Sequence, residues 1–503
     1  MAFESNNFTV VKKEKLNRGE FLVEGGVALT SPSKILSVCA DAYVSSVEVL
    51  AGQVNFSGVV TMCVIYLTDE GETEKAEENV NFSSKFEGDN ITAAQKALVK
   101  VKVIDCEVSA FSGDSVRLSI NLEQSGEIIC EKEISSIRAN DDDICFKDEQ
   151  ISVIKFVGEA SEVASLSSQL SARGNVKKVL LSESSVIVKD VEAGVNFVSV
   201  SGDIVSRVLY MTDEDKFESA YVTDAFKQEV ELAGTNQDSL VEGYATVRRD
   251  NISVQVEESD KGAKINLTVP VEFAVKAYEQ ASVNVIRDLY SVANDIKVTT
   301  ESFDMTHTCK AEIVEGKIDG SLTIEDDKPR IDKLLFVGGN SLCVSNSYLK
   351  DGEVVIEGIA KTNVVYLNDE ENSLNSVQIE VPFVISDKFS QDNADGILVV
   401  DAILCDVDVV AKKGRELLFD AKVKACVNYC YDEVSGVISE ALVLDAYPER
   451  EYAMELVYAQ KGQDAWDIAK SAKVKEGQIV AQNPDVVFPL MEDTGLILFY
   501  QKI

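Results

Sequence analysis

Side chains suited to nucleophilic or acid–base catalysis are scarce in this sequence. Its single histidine, His307, lies two residues before Cys309, so on a strand the two side chains would share one face. A catalytic cysteine–histidine pair also requires a third group that orients the base and a turn that presents the thiol. Neither is indicated around His307. We therefore predict an ordinary structural histidine and no catalytic residue.

The sequence also lacks the spacings that metal and nucleotide sites require. Zinc sites of nitrogen and sulfur ligands need several histidines or paired cysteines. The acidic runs Asp141–Asp143 and Glu325–Asp327 could hold a hard cation, but they lack calcium-loop spacing and are predicted to be solvated turns. No phosphate-loop or dinucleotide glycine pattern occurs, so we predict no metal and no cofactor. Counting carboxylates leaves a glycosidase pair open, although nothing in the sequence marks one out.

Trp466, the only tryptophan, is the clearest candidate for a binding contact. Tryptophan is enriched among the residues that dominate binding energy at interfaces. Within the helical pattern of its segment it lies beside the apolar stripe, which predicts a half-exposed side chain. A packing role and a binding role both remain open at this point.

A strand pattern that occurs three times organises the rest of the chain. Each copy has a glycine, a tyrosine eight residues later and then an Asp-Glu pair, whose side chains are expected to bond the neighbouring backbone. The glycines are Gly58, Gly202 and Gly358, and the tyrosines are Tyr66, Tyr210 and Tyr366. Apolar residues flank each glycine at even offsets, which places them on one strand face with the tyrosine. Spacings of 144 and 156 residues predict three tandem domains.

Alternation of period two dominates each repeat and predicts a mainly β fold. Short apolar runs bounded by turn residues favour a β-sandwich or a partly closed barrel in each copy. The glycine in mid-strand indicates a bend or bulge, and a hairpin is expected to close each repeat. A phenylalanine follows at near-constant distance, at Phe82, Phe226 and Phe383. The predicted domains are residues 8–150, 151–290 and 291–447, followed by a small domain at 452–503.

Charge and hydropathy narrow the classes of partner. Acidic residues outnumber basic ones by 86 to 48, which gives a net charge of −38. Nucleic acid and anionic membranes need a cationic surface, so neither is a predicted partner. The sequence contains no apolar run of about 18 residues, so no transmembrane segment is predicted. The N-terminal region lacks the apolar core that a signal peptide would have. The ten cysteines lie scattered in apolar strands and are expected to be buried thiols in a reducing compartment.

The last fifty or so residues follow a different pattern, β-α-α-β. The stripe of the first helix consists of Ala465, Ile468, Ala469 and Ala472. Asp464 is a suitable N-cap for that helix. A second short helix is expected over Glu476–Gln482 and ends at Asn483-Pro484. Strands are expected at 454–459 and 495–500, on either side of the helices.

This tail resembles a LysM module, whose usual pattern is Gly-Asp-Thr-Leu-Trp, then Ile-Ala in the first helix and Asn-Pro after the second. The matching residues are Gly462, Trp466, Ile468, Ala469, Asn483 and Pro484. LysM modules bind N-acetylglucosamine chains through two loops. Here Gln463, Asp464 and Ala465 depart from the pattern in the first of them, although Asp464 keeps the helix cap.

The three repeats resemble SPOCS domains, which occur in spore-coat proteins of endospore-forming bacteria. Three such domains followed by a LysM module are typical of the SipL family, whose members engage the coat-morphogenetic ATPase SpoIVA. In that family the LysM module is turned to protein binding. The resemblance implies a non-enzymatic adaptor that links a SpoIVA-like ATPase to other coat proteins, at the forespore surface in the mother-cell cytoplasm.

The predicted partner-binding residues all lie in the tail. They are Gln463, Asp464, Trp466, Asn483, Pro484, Val486 and Val487. The acidic repeats are expected to space this module and to offer exposed strand edges to partners. Two alternatives stay open: a LysM-mediated peptidoglycan-binding or cortex-associated protein, and a structural subunit of a spore-surface polymer.

Overall fold

A computed structural model describes residues 3–259, 262–308, 311–326, 328–368, 374–390, 396–412 and 414–500. The fold is mainly β, with two short helices near the C-terminus, which confirms the predicted fold class. Every strand pairing in these residues is antiparallel.

The strands follow the three repeats. The first repeat contains β1 (Phe3–Ser5), β2 (Phe8–Ala28), β3 (Pro32–Leu50), β4 (Gln53–Thr68), β5 (Thr73–Glu87), β6 (Lys96–Ser112), β7 (Ser115–Ile134) and β8 (Ile137–Ala139). The second contains β9 (Ile144–Ser171), β10 (Val176–Ala193), β11 (Phe197–Thr212), β12 (Phe217–Glu231), β13 (Leu240–Val247), a 3₁₀ turn (Arg249–Asn251), β14 (Ser253–Ser259) and β15 (Gly262–Ser291). The third contains β16 (Asn294–Thr308), β17 (Glu312–Thr323), β18 (Ile331–Lys350), β19 (Glu353–Asn368), β20 (Leu374–Lys388), β21 (Ile397–Lys412) and β22 (Glu416–Ala446). The tail contains β23 (Met454–Ala459), α1 (Ala465–Ala472), α2 (Glu476–Gln482) and β24 (Thr494–Phe499).

Each repeat is a sandwich of two sheets. One sheet is a meander of three strands: β3-β4-β5, β10-β11-β12 and β18-β19-β20. The second sheet is built around one long strand, which is β7, β15 or β22. The closing hairpins predicted from the sequence, β6–β7, β14–β15 and β21–β22, are all present. The repeated glycine-to-tyrosine segment is the central strand of each meander, where both edges are paired.

The even-offset pattern around the glycine marks the core face, as predicted. In the first repeat Val54, Phe56, Val64 and Tyr66 are all buried in one cluster with residues of β7. The equivalent residues of β11 and β19 are buried in the cores of the second and third repeats. The side-chain period of an extended chain therefore accounts for the packing between the two sheets.

The mid-strand glycine faces a phenylalanine ring on one neighbouring strand and a β-bulge on the other. Gly58 lies directly opposite Phe82 in the β4–β5 register, and a Cβ at this position would lie 2.4 Å from the phenyl ring. The register of β3 against β4 shifts between Val44 and Ser46, beside the same glycine. The pairs Gly202–Phe226 and Gly358–Phe383 repeat this arrangement, each with a bulge on the other neighbouring strand. The predicted bulge is confirmed, and the constant glycine-to-phenylalanine distance reflects a cross-strand pair.

The repeated tyrosine ties the central strand to the turn that precedes the meander. The hydroxyl oxygen of Tyr66 accepts from the Thr30 backbone N–H at 3.1 Å, and that of Tyr210 accepts from Arg173 N–H at 2.6 Å. In the third repeat the equivalent turn residue is Pro329, which has no N–H. There the Tyr366 hydroxyl instead donates to the Pro329 carbonyl, at 3.1 Å.

The turn after the tyrosine is stabilised by threonine rather than by the acidic pair. Thr68 Oγ1 accepts from Glu72 N–H at 3.1 Å, and Thr212 Oγ1 accepts from Lys216 N–H at 3.3 Å. The expectation that acidic side chains bond the neighbouring backbone is therefore wrong for the first two copies. The third pair, Asp369-Glu370, lies outside the described residues.

The three repeats pack against one another and do not act as separate spacers. Ile65, Leu209 and Val365 each follow their glycine by seven residues, an odd offset that places them on the outer face of the meander. They share one buried cluster. A second cluster joins Phe8 of β2, Val153 of β9 and Phe303 of β16. The outer faces of the three meanders therefore pack together in one cluster, and strands of the three second sheets pack together in the other.

Two of the three predicted domain limits fall close to strand ends. The limit between residues 150 and 151 lies inside β9, which pairs with β15 from Ile144 onward. The limit at residue 290 lies one residue before the end of β15, and residue 447 directly follows β22. These limits remain predictions.

Candidate interaction surface on the C-terminal module

The tail forms the βααβ unit that its pattern predicts. Asp464 caps α1 by accepting from the Asp467 N–H at 2.8 Å, and Asp467 returns the contact to the Asp464 N–H, which completes a capping box. Of the predicted stripe, Ala465, Ile468 and Ala469 are buried. Helix α2 and β23 have the predicted bounds, and β24 begins one residue earlier than expected.

Trp466 is not half exposed. Its side chain is only 4% exposed, because the indole packs on the end of the second repeat. The ring meets Tyr290 edge to face with centroids 4.9 Å apart, and Nε1 donates to Asp288 Oδ2 at 2.8 Å. The helical stripe did not reveal this, because the groups that cover the indole lie nearly 180 residues earlier in the chain.

Other contacts extend the docking of the module on β9 and β15. The Tyr290 hydroxyl donates to the Val474 carbonyl at 2.7 Å, and Lys147 forms an ion pair with Asp464 at 2.9 Å. Lys470 also reaches Asp288. Burial alone would raise the pKa of Asp288, but the hydrogen bonds from Lys470 and Trp466 outweigh burial and hold its pKa below the usual value. The docked interface therefore favours the ionised carboxylate.

Side-chain amides close the outer edge of β24. Asn483 donates to the Ile497 carbonyl at 3.2 Å and accepts from the Ile497 N–H at 3.0 Å. Gln482 makes the same pair of contacts with Phe499, at 3.0 and 2.7 Å. These two residues thus imitate a further strand. The side chain of Asn483, which is predicted to bind a partner, is therefore hydrogen-bonded within the module.

The seven predicted partner-binding residues do not converge on one face. Gln463 and Asp464 border the docked interface together with Trp466, and Gln463 Oε1 accepts from the Gln460 N–H at 2.7 Å. Val486 is half-buried against the module core. Pro484 and Val487 are exposed, Val487 at 76%.

A different surface of the module carries a continuous set of exposed apolar side chains. It is the outer face of the β23–β24 sheet, opposite the helices, and we name it the apolar sheet face. Its members are Met454, Leu456, Tyr458, Ile497 and Phe499, which are between 42% and 81% exposed. Two cross-strand pairs, Met454–Phe499 and Leu456–Ile497, lie side by side in the register.

The sequence contains a signal for this face. In β23 one alternate set is Met454, Leu456 and Tyr458, and the other set, after Glu455, contains the apolar residues Val457 and Ala459. A strand with only one covered face normally alternates apolar and polar residues. Apolar residues in both sets therefore indicate a second surface that needs covering.

The polar residues considered from the sequence have structural surroundings. His307 Nε2 lies 2.8 Å from Glu433 Oε2, and its ring stacks on Tyr431 with centroids 5.1 Å apart. Cys309, its proposed partner, lies outside the described residues. Asp141 accepts from the Asp143 N–H at 3.1 Å, as in a turn. Within the described ranges no three His, Cys, Asp or Glu side chains cluster as metal ligands would.

Comparison with known proteins gives one match. Residues 32–110 match the family model described as SipL, SPOCS domain. The matched segment covers the β3-β4-β5 meander and most of β6. No curated protein and no solved structure matched the chain. In the described part of the chain, no helix has the length and apolarity that crossing a membrane requires. Residues 32–110, with the glycine-to-tyrosine strand at their centre, therefore resemble the SPOCS domain of SipL, and this match supports a SipL-like spore-coat protein.

Proposed function

We propose that this protein is a non-enzymatic adaptor in spore-coat assembly. Its C-terminal LysM-like module would bind a coat-morphogenetic ATPase of the SpoIVA type, and its SPOCS repeats would link that ATPase to other coat proteins. The site of action would be the forespore surface, in the mother-cell cytoplasm. The observation that carries the proposal is the apolar sheet face.

Burial of the apolar sheet face would supply binding energy. Full burial of an exposed side chain of this size contributes about 1.5–3 kcal/mol. Leu456 and Ile497 are 50% and 42% exposed, so covering them gains about half of that each. Aromatic residues, here Tyr458 and Phe499, are enriched at the centres of protein interfaces. An exposed apolar set of this kind on a strongly acidic chain marks a surface that a protein covers.

Charge favours a partner over a second copy of this chain. Each copy carries a net charge of −38, so two copies repel one another at long range. A less acidic or basic protein meets no such barrier and is drawn toward the chain. The apolar sheet face is therefore assigned to a different protein.

The free edge of β23 adds a second element of recognition. The outer edge of β24 is closed by Asn483 and Gln482, but no described strand pairs with the outer edge of β23. Unpaired backbone groups of an edge strand can accept an extended segment of a partner. Such a segment would reach the apolar sheet face directly.

The repeats serve as a fixed platform for the module. The Trp466 indole and the contacts of Asp288 and Tyr290 set its orientation on the second repeat. The apolar sheet face is on the side of the module away from its helices and remains open. A pre-oriented module loses less conformational freedom on binding than a tethered one.

Co-purification from sporulating cells tests the proposal. Leu456→Asp and Ile497→Asp in the full chain are expected to reduce recovery of a SpoIVA-like ATPase at least tenfold, as does deletion of residues 452–503. Leu22→Asp, at an exposed leucine of β2, is the matched control and is expected to leave recovery unchanged.

Three outcomes would contradict the proposal. One is full recovery of the ATPase by both aspartate variants while circular dichroism reports the same fold. Another is retention of the chain on immobilised peptidoglycan that depends on the C-terminal module, with no protein recovered. A third is self-assembly of the purified repeats without the module, which would favour the structural subunit of a polymer.

A further inference from the structure

The three repeats line a cavity between them that is open to solvent on one side. Its volume is about 830 Å³, within the range of sites for small organic molecules. The walls come from β3 and β6 of the first repeat, β10 and β11 of the second, and β18 to β21 of the third. All three repeats are needed to form it.

The walls carry an unusual charge for this chain. The charged side chains that line the cavity are Lys34, Asp41, Lys102, Asp105, Glu183, Arg207, Arg249 and Lys328. Basic residues outnumber acidic ones here by five to three, whereas acidic residues outnumber basic ones 86 to 48 over the chain. The centre of an acidic protein is therefore locally cationic.

Two of these cations retain hydrogen-bond donors that no described residue uses, although Glu183 lies opposite Arg207 in the β10–β11 register and partly offsets its charge. The Nη1 atom of Arg207 is buried and makes no hydrogen bond with any described residue. No described carboxylate lies within 4.0 Å of Lys102 Nζ, whereas Arg249 is 3.5 Å from Asp41. Burial lowers the pKa of both Lys102 and Arg207, which reflects the cost of holding their charges there.

Arg207 occupies the position five residues after the repeated glycine. The equivalent positions hold Cys63 and Asn363, so only the second repeat places a cation at this point. Packing does not require it, because the other two repeats form the same strand without one. A buried donor without a partner destabilises the fold, and a bound water or a bound anion would satisfy it.

Apolar residues complete the walls. Leu36, Val103, Phe111, Leu342 and Leu404 line the same space. A cavity that combines an excess of cations with apolar walls suits an organic anion better than a simple ion. Guanidinium and ammonium groups together match phosphate oxygens.

We propose that this central cavity binds a phosphate-bearing small molecule, with Arg207 and Lys102 as its principal contacts. Because all three repeats form the walls, the ligand would hold them together, and occupancy would raise the stability of the assembled repeats. This site is separate from the apolar sheet face. It neither requires nor supports the proposed adaptor function.

Calorimetry and thermal unfolding of the full chain with sodium pyrophosphate as the probe test this inference. The wild-type chain is expected to bind one pyrophosphate saturably at constant ionic strength, with a rise in Tm. Arg207→Gln and Lys102→Gln are each expected to weaken binding at least tenfold, and Arg207→Lys is expected to weaken it less. Arg173→Gln removes an exposed cation and is expected to bind as the wild type does.

The unliganded Tm separates a ligand contact from a structural one. Glu183 lies opposite Arg207, so the variant for this comparison is Arg207→Gln combined with Glu183→Gln, which removes both charges. If Arg207 serves a ligand, this double variant without pyrophosphate keeps the wild-type Tm. The inference is overturned if the wild-type chain shows no saturable binding, or if Arg207→Gln and Arg173→Gln bind equally well. A fall in the Tm of the unliganded double variant would also overturn it, because Arg207 and Glu183 would then support the fold.

Discussion

The three repeated glycines are tightly constrained positions, because neighbouring backbone lies against each of them. A Cβ on Gly58 would lie 2.1 Å from the Tyr43 carbonyl oxygen as well as inside the Phe82 ring contact. Gly202 and Gly358 meet carbonyl oxygens at 2.0 and 2.1 Å in the same way. The bulge brings the neighbouring backbone so close that no side chain fits, which explains why the glycine recurs together with its phenylalanine.

Gly58→Ala is expected to destabilise the protein by about 2–3 kcal/mol, as overpacking of a closed site does. Urea unfolding followed by circular dichroism measures the change in midpoint. Gly26→Ala is the matched control, because nothing lies within 4 Å of a Cβ there, and it is expected to be neutral or slightly stabilising. Equal midpoints for the two variants would contradict the role assigned to Gly58.

Tyr66→Phe is expected to cost about 1–2 kcal/mol, because the Thr30 N–H loses the acceptor that lies 3.1 Å away. Thermal unfolding of the variant measures this loss. Tyr458→Phe removes a hydroxyl from a side chain that is 81% exposed and is expected to leave Tm unchanged. A drop of the same size in both variants would assign the effect to something other than the buried hydrogen bond.

The sequence predicts those features of strands and helices whose pattern involves only neighbouring residues. Val54 and Tyr66 were predicted to share a buried face because strand periodicity needs only neighbouring residues. The cap at Asp464 was equally local. Trp466 was misplaced because its cover, Asp288 and Tyr290, belongs to another domain, and no periodicity within the tail contains that information.

The predicted partner-binding residues of the C-terminal module were limited in the same way, because their contacts are not local in sequence. The side-chain amide of Asn483, at the end of a helix, bonds the backbone of Ile497 on a strand. The sequence pattern could not show that this amide is already used within the module. The apolar sheet face was within reach, because Leu456 and Val457 are both apolar in consecutive positions of one strand. Only the structure shows that Leu456 is on the uncovered side.

The docking of the tail is expected to depend on pH through Asp288. Its pKa is lowered in the docked state, so its contribution is complete above the undocked value of about 3.9 and is lost as pH falls through the lower docked value. Hydrogen exchange of the α1 amides should be constant from neutral pH to about pH 5 after correction for intrinsic rates, and should accelerate below about pH 4.

Asp288→Ala extends this test to neutral pH. Loss of the hydrogen bonds from Trp466 and Lys470 is expected to cost about 1–2 kcal/mol, which means roughly tenfold faster exchange in α1. Asp464, whose pKa is also lowered, still pairs with Lys147 in this variant and retains a smaller acid transition. Unchanged α1 exchange in Asp288→Ala would mean that the module does not dock through this carboxylate.

Two buried ion pairs join the first two repeats. Lys13 contacts Glu242 with both side chains at most 5% exposed, and Lys276 lies 3.0 Å from Glu127. Burial would raise the pKa of Glu127, but Lys276 and Lys13 outweigh it and lower that pKa. Each repeat supplies one lysine and one glutamate, and each of the two ion pairs joins a lysine of one repeat to a glutamate of the other.

A double-mutant cycle on Lys13 and Glu242 tests whether this network specifies the arrangement of the repeats. Lys13→Met is expected to cost about 3–5 kcal/mol, because Glu242 is left buried and unpaired, and the double variant with Glu242→Leu is expected to recover at least half of that loss. The exposed pair Lys317–Asp420, 2.6 Å apart, is the matched control, and Lys317→Met is expected to leave the urea unfolding midpoint unchanged. Urea unfolding midpoints measure all of these variants. If the double variant is no more stable than Lys13→Met alone, the two charges are not coupled, and contacts such as the apolar cluster of Ile65, Leu209 and Val365 hold the repeats together without them.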